Sequence, residues 1–385
     1  MEVSWSAANA RRLQRHALLP PAPSGTHPAQ IAGVICGAHS QVLSAAELSL
    51  ALRIQRATRV TVRRALWDEH RLIKTYGPRG TVHLLAADDL PIWTAALSAI
   101  PAHSPFPDGV RLTHVQAEQI IAAISDALAN AELTIDELDQ AIVHRVGPWA
   151  GERVMPAFQD LWPRWRQLVG MAGHRGVLCF GPNRERRVTY TSPHRWLPGF
   201  EPAGQEKAIT SVIMAYLYAY GPATPQQFAQ WIGAPSVWAL EHFERRREQL
   251  TQVIFDGTPA WVAEGDTNMP SAAKATASVL LLPYFDAFVV GSHPRDPLFP
   301  GTASQRARAP SGQAGNYPVL IIDGVVAGVW HQRRSGKWIE ITVEPLTKLT
   351  AAQRRALQTQ AERVGEILGG QSRLTVGKVA AGGHA

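Results

Sequence analysis

Cysteine is nearly absent from this sequence. Cys36 and Cys179 are the only two in 385 residues, far apart and without metal-ligand spacing, so a disulfide framework is excluded and no metal site is expected. Both read as reduced, packed thiols of a cytoplasmic protein. Long apolar runs are missing as well: residues 278–283 and 319–322 fall far short of the roughly 20 that cross a bilayer. Arg11, Arg12 and Arg15 are followed by no apolar stretch, which argues against secretion. No sustained heptad run suggests a coiled coil, and a monomer is expected. What is present is an ordinary apolar fraction of 45%, a length suited to two to four domains, and a net charge of +7. That charge favours a polyanionic partner only modestly, so motifs must decide.

Residues 6–19 read as a basic amphipathic helix, ended by Pro20-Pro21 and a Pro/Gly/Ser-rich linker to residue 27. In residues 28–115, Ser44 and Glu47 form a capping-box pattern, and Leu48, Ala51 and Leu52 share one face of the helix it opens. Residues 60–70 give a second helix, and residues 72–76 and 81–85 flank a Gly77-Pro78-Arg79-Gly80 turn. The order helix, helix, hairpin returns about 90 residues later, within residues 116–200. There Thr134 and Glu137 open a helix, residues 155–172 supply a second that Pro163 kinks, and strands flank the basic tip 182–187. It returns once more in residues 201–270, with Thr224 and Gln227, a helix over 236–249, and an Asp256-Gly257 turn. Three capping boxes in matching register predict an α+β protein with three tandem winged-helix modules.

Residues 271–370 differ. Strands over 279–282, 288–290, 319–322, 325–330 and 338–343, with Asp323-Gly324 as a tight turn, predict a small β-sheet or barrel-like unit. Thr350 and Gln353 start a terminal helix, Gly369-Gly370 ends it, and residues 371–385 read as a flexible tail.

In a winged helix the second helix commonly enters the major groove and the wing reaches phosphates. Arg63 and Arg64 lie on the first such helix, Arg164 and Arg166 on the second, and Arg245, Arg246 and Arg247 on the third. Arg79, Arg184, Arg186 and Arg187 lie at wing tips, and Lys74 reads as a phosphate contact. Any one of these arginines is as readily a solvated ion-pair partner. The recurrence across three units favours duplex DNA.

The stretch from Cys36 through Leu48, Cys-Gly-Ala-His-Ser-Gln-Val-Leu-Ser-Ala-Ala-Glu-Leu, resembles the signature of bacterial winged-helix DNA glycosylases of the AlkZ and YcaQ type. Similar segments are Leu72-Ile73-Lys74-Thr75-Tyr76-Gly77-Pro78-Arg79-Gly80, Leu178-Cys179-Phe180-Gly181-Pro182, Ala219-Tyr220-Gly221-Pro222 and Leu281-Leu282-Pro283-Tyr284-Phe285-Asp286, in the expected order. The resemblance implies excision of N-alkylated purines from double-stranded DNA, in some members unhooking interstrand crosslinks, without a cofactor, by a cytoplasmic, nucleoid-associated bacterial enzyme. It also implies a Gln-x-Gln or Gln-x-Asp catalytic motif. Here His39 takes the first position, a departure, and Gln41 takes the last.

Alkylation at N7 leaves guanine cationic, so its glycosidic bond is weakened and the leaving group needs little protonation. The remaining work is to place a water against the sugar carbon and tolerate an oxocarbenium-like transition state. Gln41 can accept from that water, and a neutral His39 can take its proton, with activity falling as His39 protonates. The bland alternative is two loop residues that hydrogen-bond backbone ahead of a helix. His83 reads as a half-buried wing residue. Asp286 is a further candidate for stabilising a cationic sugar, with a local cap as its alternative. A non-catalytic regulator and a protein-binding scaffold are the competing functions.

Overall fold

The computed structural model describes residues 1–101, 106–157, 160–270, 278–309 and 311–384. The fold is mixed α+β. Three small three-stranded sheets each join a hairpin to one short extra strand, and a five-stranded sheet lies near the C-terminus.

Ahead of the first hairpin stand helices Pro28–Val34, Leu43–Leu52 and Arg59–Arg63, the last running on as a π-turn over Arg64–Asp68. Strands Leu72–Tyr76 and Val82–Ala86 form the hairpin, and Ala38–His39 adds to its edge. In the second unit, strand Leu133–Thr134 and helix Ile135–Val146 precede hairpin Cys179–Arg184 with Arg187–Thr191. In the third, helices Gln205–Tyr220, Pro225–Ile232 and Ser236–Glu244 precede hairpin Leu250–Phe255 with Thr258–Ala263, and Glu2–Val3 from the N-terminus pairs with it in parallel. The N-terminal helix spans Trp5–Arg15, capped by Ser4.

The capping boxes at Thr134/Glu137, Thr224/Gln227 and Thr350/Gln353 all form reciprocally. Ser44/Glu47 does not. That helix starts at Leu43, with Val42 as N-cap, because Glu47 turns inward and receives Arg63 Nε and Nη2 at 2.6 and 3.2 Å. A bidentate, charge-assisted pair outcompetes a single backbone amide. The helix expected over 155–172 is also replaced. Arg153–Pro156 pairs with Leu161–Pro163, then a 3₁₀ turn Arg164–Leu168 leads into helix Val169–His174. Pro156 and Pro163 lack the N–H a helix interior needs, so helix begins only beyond them.

The C-terminal sheet runs in the order Val279–Leu282, Val319–Ile322, Val325–Ser335, Trp338–Pro345 and Gln371–Val376. Asp323 and Gly324, at φ +50° and +84°, make the expected two-residue turn. Residues 288–290, expected as a strand, instead lie in helix Ala287–Gly291, which Asp286 caps by accepting from the Phe288 amide at 3.0 Å. Nor are residues 371–384 a free tail, residue 385 lying outside the described residues. Gln371–Val376 is a parallel edge strand, and the His384 amide donates to the Asn316 carbonyl at 2.8 Å.

The cores cross the expected boundaries. Leu48, Ala51 and Val62 pack in one cluster with Leu281, Ile321, Val343 and Val364, so the first helices share a core with the C-terminal sheet. Ile73 and Leu85 of the hairpin pack instead with Tyr216, Phe228 and Trp231 of the third unit. The segment carrying His39 lies where these two cores meet. Among the described residues, no helix is long and apolar enough to cross a membrane. Cys36 and Cys179 are buried, free thiols.

Candidate active site

The chain reaches His39 through a left-handed turn. Cys36 and Gly37, at φ +59° and +95°, follow helix Pro28–Val34. The positive φ at Gly37 favours glycine, and a Cβ there would sit 2.7 Å from Leu85 Cδ2 and displace that side chain. Extended backbone follows. His39 pairs with His83, and the Ser40 amide donates to the Val82 carbonyl at 2.7 Å. Ala38 is buried and His39 half-buried on this short strand, Ser40 beyond it is buried, and Gln41 is exposed in the bend that leads to helix Leu43–Leu52.

The His39 ring lies 4.5 Å from Phe285 and 5.2 Å from His83, centroid to centroid. Phe285, at φ +53°, is held by its amide donating to the Gly315 carbonyl at 2.8 Å. His39 faces a cavity of about 410 Å³, with Arg79, Thr81, Gln230, His293, Arg295 and Arg308 among its walls. A larger groove of about 940 Å³, beside helices Leu90–Ser98 and Gln205–Tyr220, contains none of the residues singled out from sequence. Of the two, the smaller cavity is the one that His39 lines.

Burial, reinforced by Arg79 and His384, holds the His39 pKa down to about 4. Burial likewise drives His83 well below its ordinary value and His293 to about 3. The His39 imidazole is therefore neutral near pH 7, the form that a general base would require. This displaces the acid limb expected from an unperturbed histidine. The neutral form dominates well above pH 4, so a His39-dependent rate should be level from pH 8 to about 5 and fall on approaching 4. Histidines with lowered folded pKa values take up protons first in the unfolded chain, so stability also declines on acidification below about 6.5. A pH–rate profile with circular dichroism at each point separates the two effects.

The remaining cations divide into three groups. Arg246 is buried, donating to Glu206 at 2.8 Å and Thr210 at 2.7 Å, and Arg164 ties Glu152 to the Gly109 and Val110 carbonyls. Both are structural, a correction to their reading as DNA contacts. Arg79 is largely enclosed, donating to the Trp231 carbonyl, and Lys74 lies 4.5 Å over the Phe180 ring. Arg166 stacks on Trp162 at 3.7 Å, and Arg63 is held by Glu47. Arg64 and Arg184 are exposed and donate to Glu69 and Glu137 at 2.8 Å, Arg187, Arg245 and Arg247 are exposed with more distant carboxylates at 3.9, 3.6 and 3.3 Å, and Arg186 is exposed with none among the described residues.

Asp286 is wholly buried against Arg53, so it reaches no substrate; its role as a cap and ion-pair partner replaces the sugar-stabilising one. Its neighbour Phe285, together with His293, Arg295, Arg308 and Gln230, was not among the sequence candidates. The one signal for them was the Leu281–Asp286 segment, which marks a special stretch without saying that Phe285 meets His39.

Comparisons with known proteins give the family of the chain. The model of the family described as "DNA glycosylase AlkZ-like" matches residues 34–367. An interstrand DNA cross-link repair glycosylase of Streptomyces sahachiroi is 30% identical over 401 aligned positions, covering 98% of this chain and 99% of the relative. The solved structure of the Streptomyces sahachiroi DNA glycosylase AlkZ superposes with a TM-score of 0.78 at 26% identity, covering 97% of this chain and 100% of that one. The chain belongs to the AlkZ-like DNA glycosylase family, whose members are hydrolases of N-glycosyl bonds.

Proposed function

We propose that this protein is a monofunctional DNA glycosylase that releases N-alkylated purines of the N7-alkylguanine type and unhooks interstrand crosslinks built on such bases. The observation that carries this reading is His39 on the wall of the cavity with its imidazole neutral, two residues ahead of the exposed Gln41. The 30% identity to a crosslink repair glycosylase supports the crosslink assignment.

In the proposed reaction a water oxygen bonds to the sugar C1′ as the bond from C1′ to the base nitrogen breaks. The electron pair of that bond leaves with the base and neutralises its positive charge. The water proton passes to His39, while the Gln41 amide oxygen holds the water in line. We read the three helix–helix–hairpin units as winged helices that present Arg64, Arg184, Arg186, Arg187, Arg245 and Arg247 to duplex phosphates. The enzyme works as a cytoplasmic, nucleoid-associated monomer.

The test is to incubate purified protein with duplex containing one 7-methylguanine and, separately, with duplex crosslinked by a nitrogen mustard. Free base and an alkali-labile abasic site are expected from the first, and separation of the strands from the second. Salt-sensitive binding with neither product would select a non-catalytic DNA-binding protein instead.

A further inference from the structure

The cavity beside His39 concentrates positive charge. Arg79, Arg295 and Arg308 line it, and among the described residues no aspartate or glutamate does. Among the described residues neither Arg79 nor Arg295 has a carboxylate partner: Arg79 donates to the Trp231 carbonyl, Arg295 to those of Gly312 and Val290 at 3.4 and 3.2 Å. Arg308 reaches the exposed Asp296 at 2.9 Å and shares the Gly312 carbonyl with Arg295. The Nε groups of Arg295 and Arg308 are buried with no acceptor. Burial lowers the pKa of Arg79 to about 10, with Arg295 adding to the effect, and lowers that of Arg295, with Arg308 adding. Like charges withdrawn from water and held together are costly unless an anion joins them.

Polar neutral groups complete the lining, among them Thr81, Gln230 and Gln313. Three forked donors surrounded by hydroxyl and amide groups match a tetrahedral oxyanion, which accepts several hydrogen bonds at once. A cationic alkylated base fits poorly against the same wall.

We propose that this cavity binds a phosphate group, gripped by Arg79, Arg295 and Arg308, and that DNA supplies it from the backbone beside the damaged nucleotide. The anion site stands on the side chains alone; its assignment to DNA rests on the glycosylase reading. A phosphate seated there neutralises the arginines that face His39. It also brings negative charge near the sugar where the oxocarbenium-like charge develops.

The first arm of the test needs neither lesion nor base release, so it survives failure of the proposed reaction. The intact protein is titrated calorimetrically with inorganic phosphate at low ionic strength. One saturable site is expected, at least about tenfold weaker in Arg295→Met and Arg79→Met, and unchanged in Arg333→Ala on a distant hairpin. Arg79→Lys keeps the charge without the fork and guards against a folding defect, with circular dichroism as the check. The absence of saturation, or equal affinity in the Arg79 and Arg295 variants, would overturn the site.

The second arm replaces single linkages around a 7-methylguanine by uncharged methylphosphonates. One neutral linkage should weaken binding by native protein about tenfold and leave binding by Arg295→Met unaffected. Saturation in the first arm with no linkage effect in the second would assign the site to free phosphate rather than to DNA.

Discussion

His39→Ala is expected to release 7-methylguanine about 100-fold more slowly than native protein under single-turnover conditions, with DNA affinity retained. A positioned general base contributes typically 10²–10⁴ in rate, and the lower figure applies because the leaving base is already activated. His39→Gln separates two roles in the same residue. Glutamine keeps an acceptor for the water but cannot carry its proton away, so part of the rate should return while the fall near pH 4 disappears. Full activity in His39→Ala would remove His39 from the reaction.

Asp286→Asn should destabilise the protein by about 3–5 kcal/mol, a large part of the about 5–15 kcal/mol that holds a typical domain folded. Asp286 and Arg53 are each 0% exposed. Two Arg53 nitrogens meet the two carboxylate oxygens at 2.8 Å, Ser49 Oγ donates at 2.7 Å, and the Phe288 amide at 3.0 Å. Burial alone would raise the Asp286 pKa, but Arg53, Ser49 and Phe288 outweigh it and the net shift is downward. The stabilisation is therefore complete above the ordinary carboxylate pKa and lost as pH falls through the lowered one. Removing the charge strands Arg53, which is what makes the single variant costly.

The same pair has a positional consequence. Arg53 directly follows helix Leu43–Leu52, which begins just beyond Gln41, and Asp286 directly follows Phe285, which packs on His39. The ion pair thus ties the helix that follows the His39 segment to the loop that carries Phe285. Denaturant unfolding of Asp286→Asn, Arg53→Met and the apolar double variant Arg53→Met with Asp286→Leu tests this. The double variant should recover stability relative to either single change. A loss below about 1 kcal/mol in Asp286→Asn would contradict the account.

Local signals in the sequence held where nothing distant competed. Thr134, Thr224 and Thr350 cap their helices, and Asp256-Gly257 and Asp323-Gly324 turn their hairpins at positive φ. Ser44 and Glu47 carry the same pattern and fail because Arg63 offers Glu47 a stronger partner. Arg246 looked like one of three exposed cations and is buried because Glu206 and Thr210 of a neighbouring helix receive it. The site divides the same way. His39 and Gln41 can be singled out from the order of residues before a helix, and the fold sets His39 on the cavity wall with Gln41 exposed in the bend that follows. Phe285, Arg295 and Arg308 are not legible, since only the docking of the C-terminal sheet on the first helices brings that loop to His39.

Gln41→Ala tests the central claim most directly. Release of 7-methylguanine from duplex DNA is followed in a single turnover by native protein and by this variant, with binding to the same duplex measured in parallel. Gln41 is exposed and supports no described hydrogen bond, so its loss should leave fold and affinity intact. The account predicts that native protein frees the base and that the variant binds equally but releases it at least about 100-fold more slowly. Equal release by both, or binding without release by native protein, would contradict a reaction carried by His39 and Gln41.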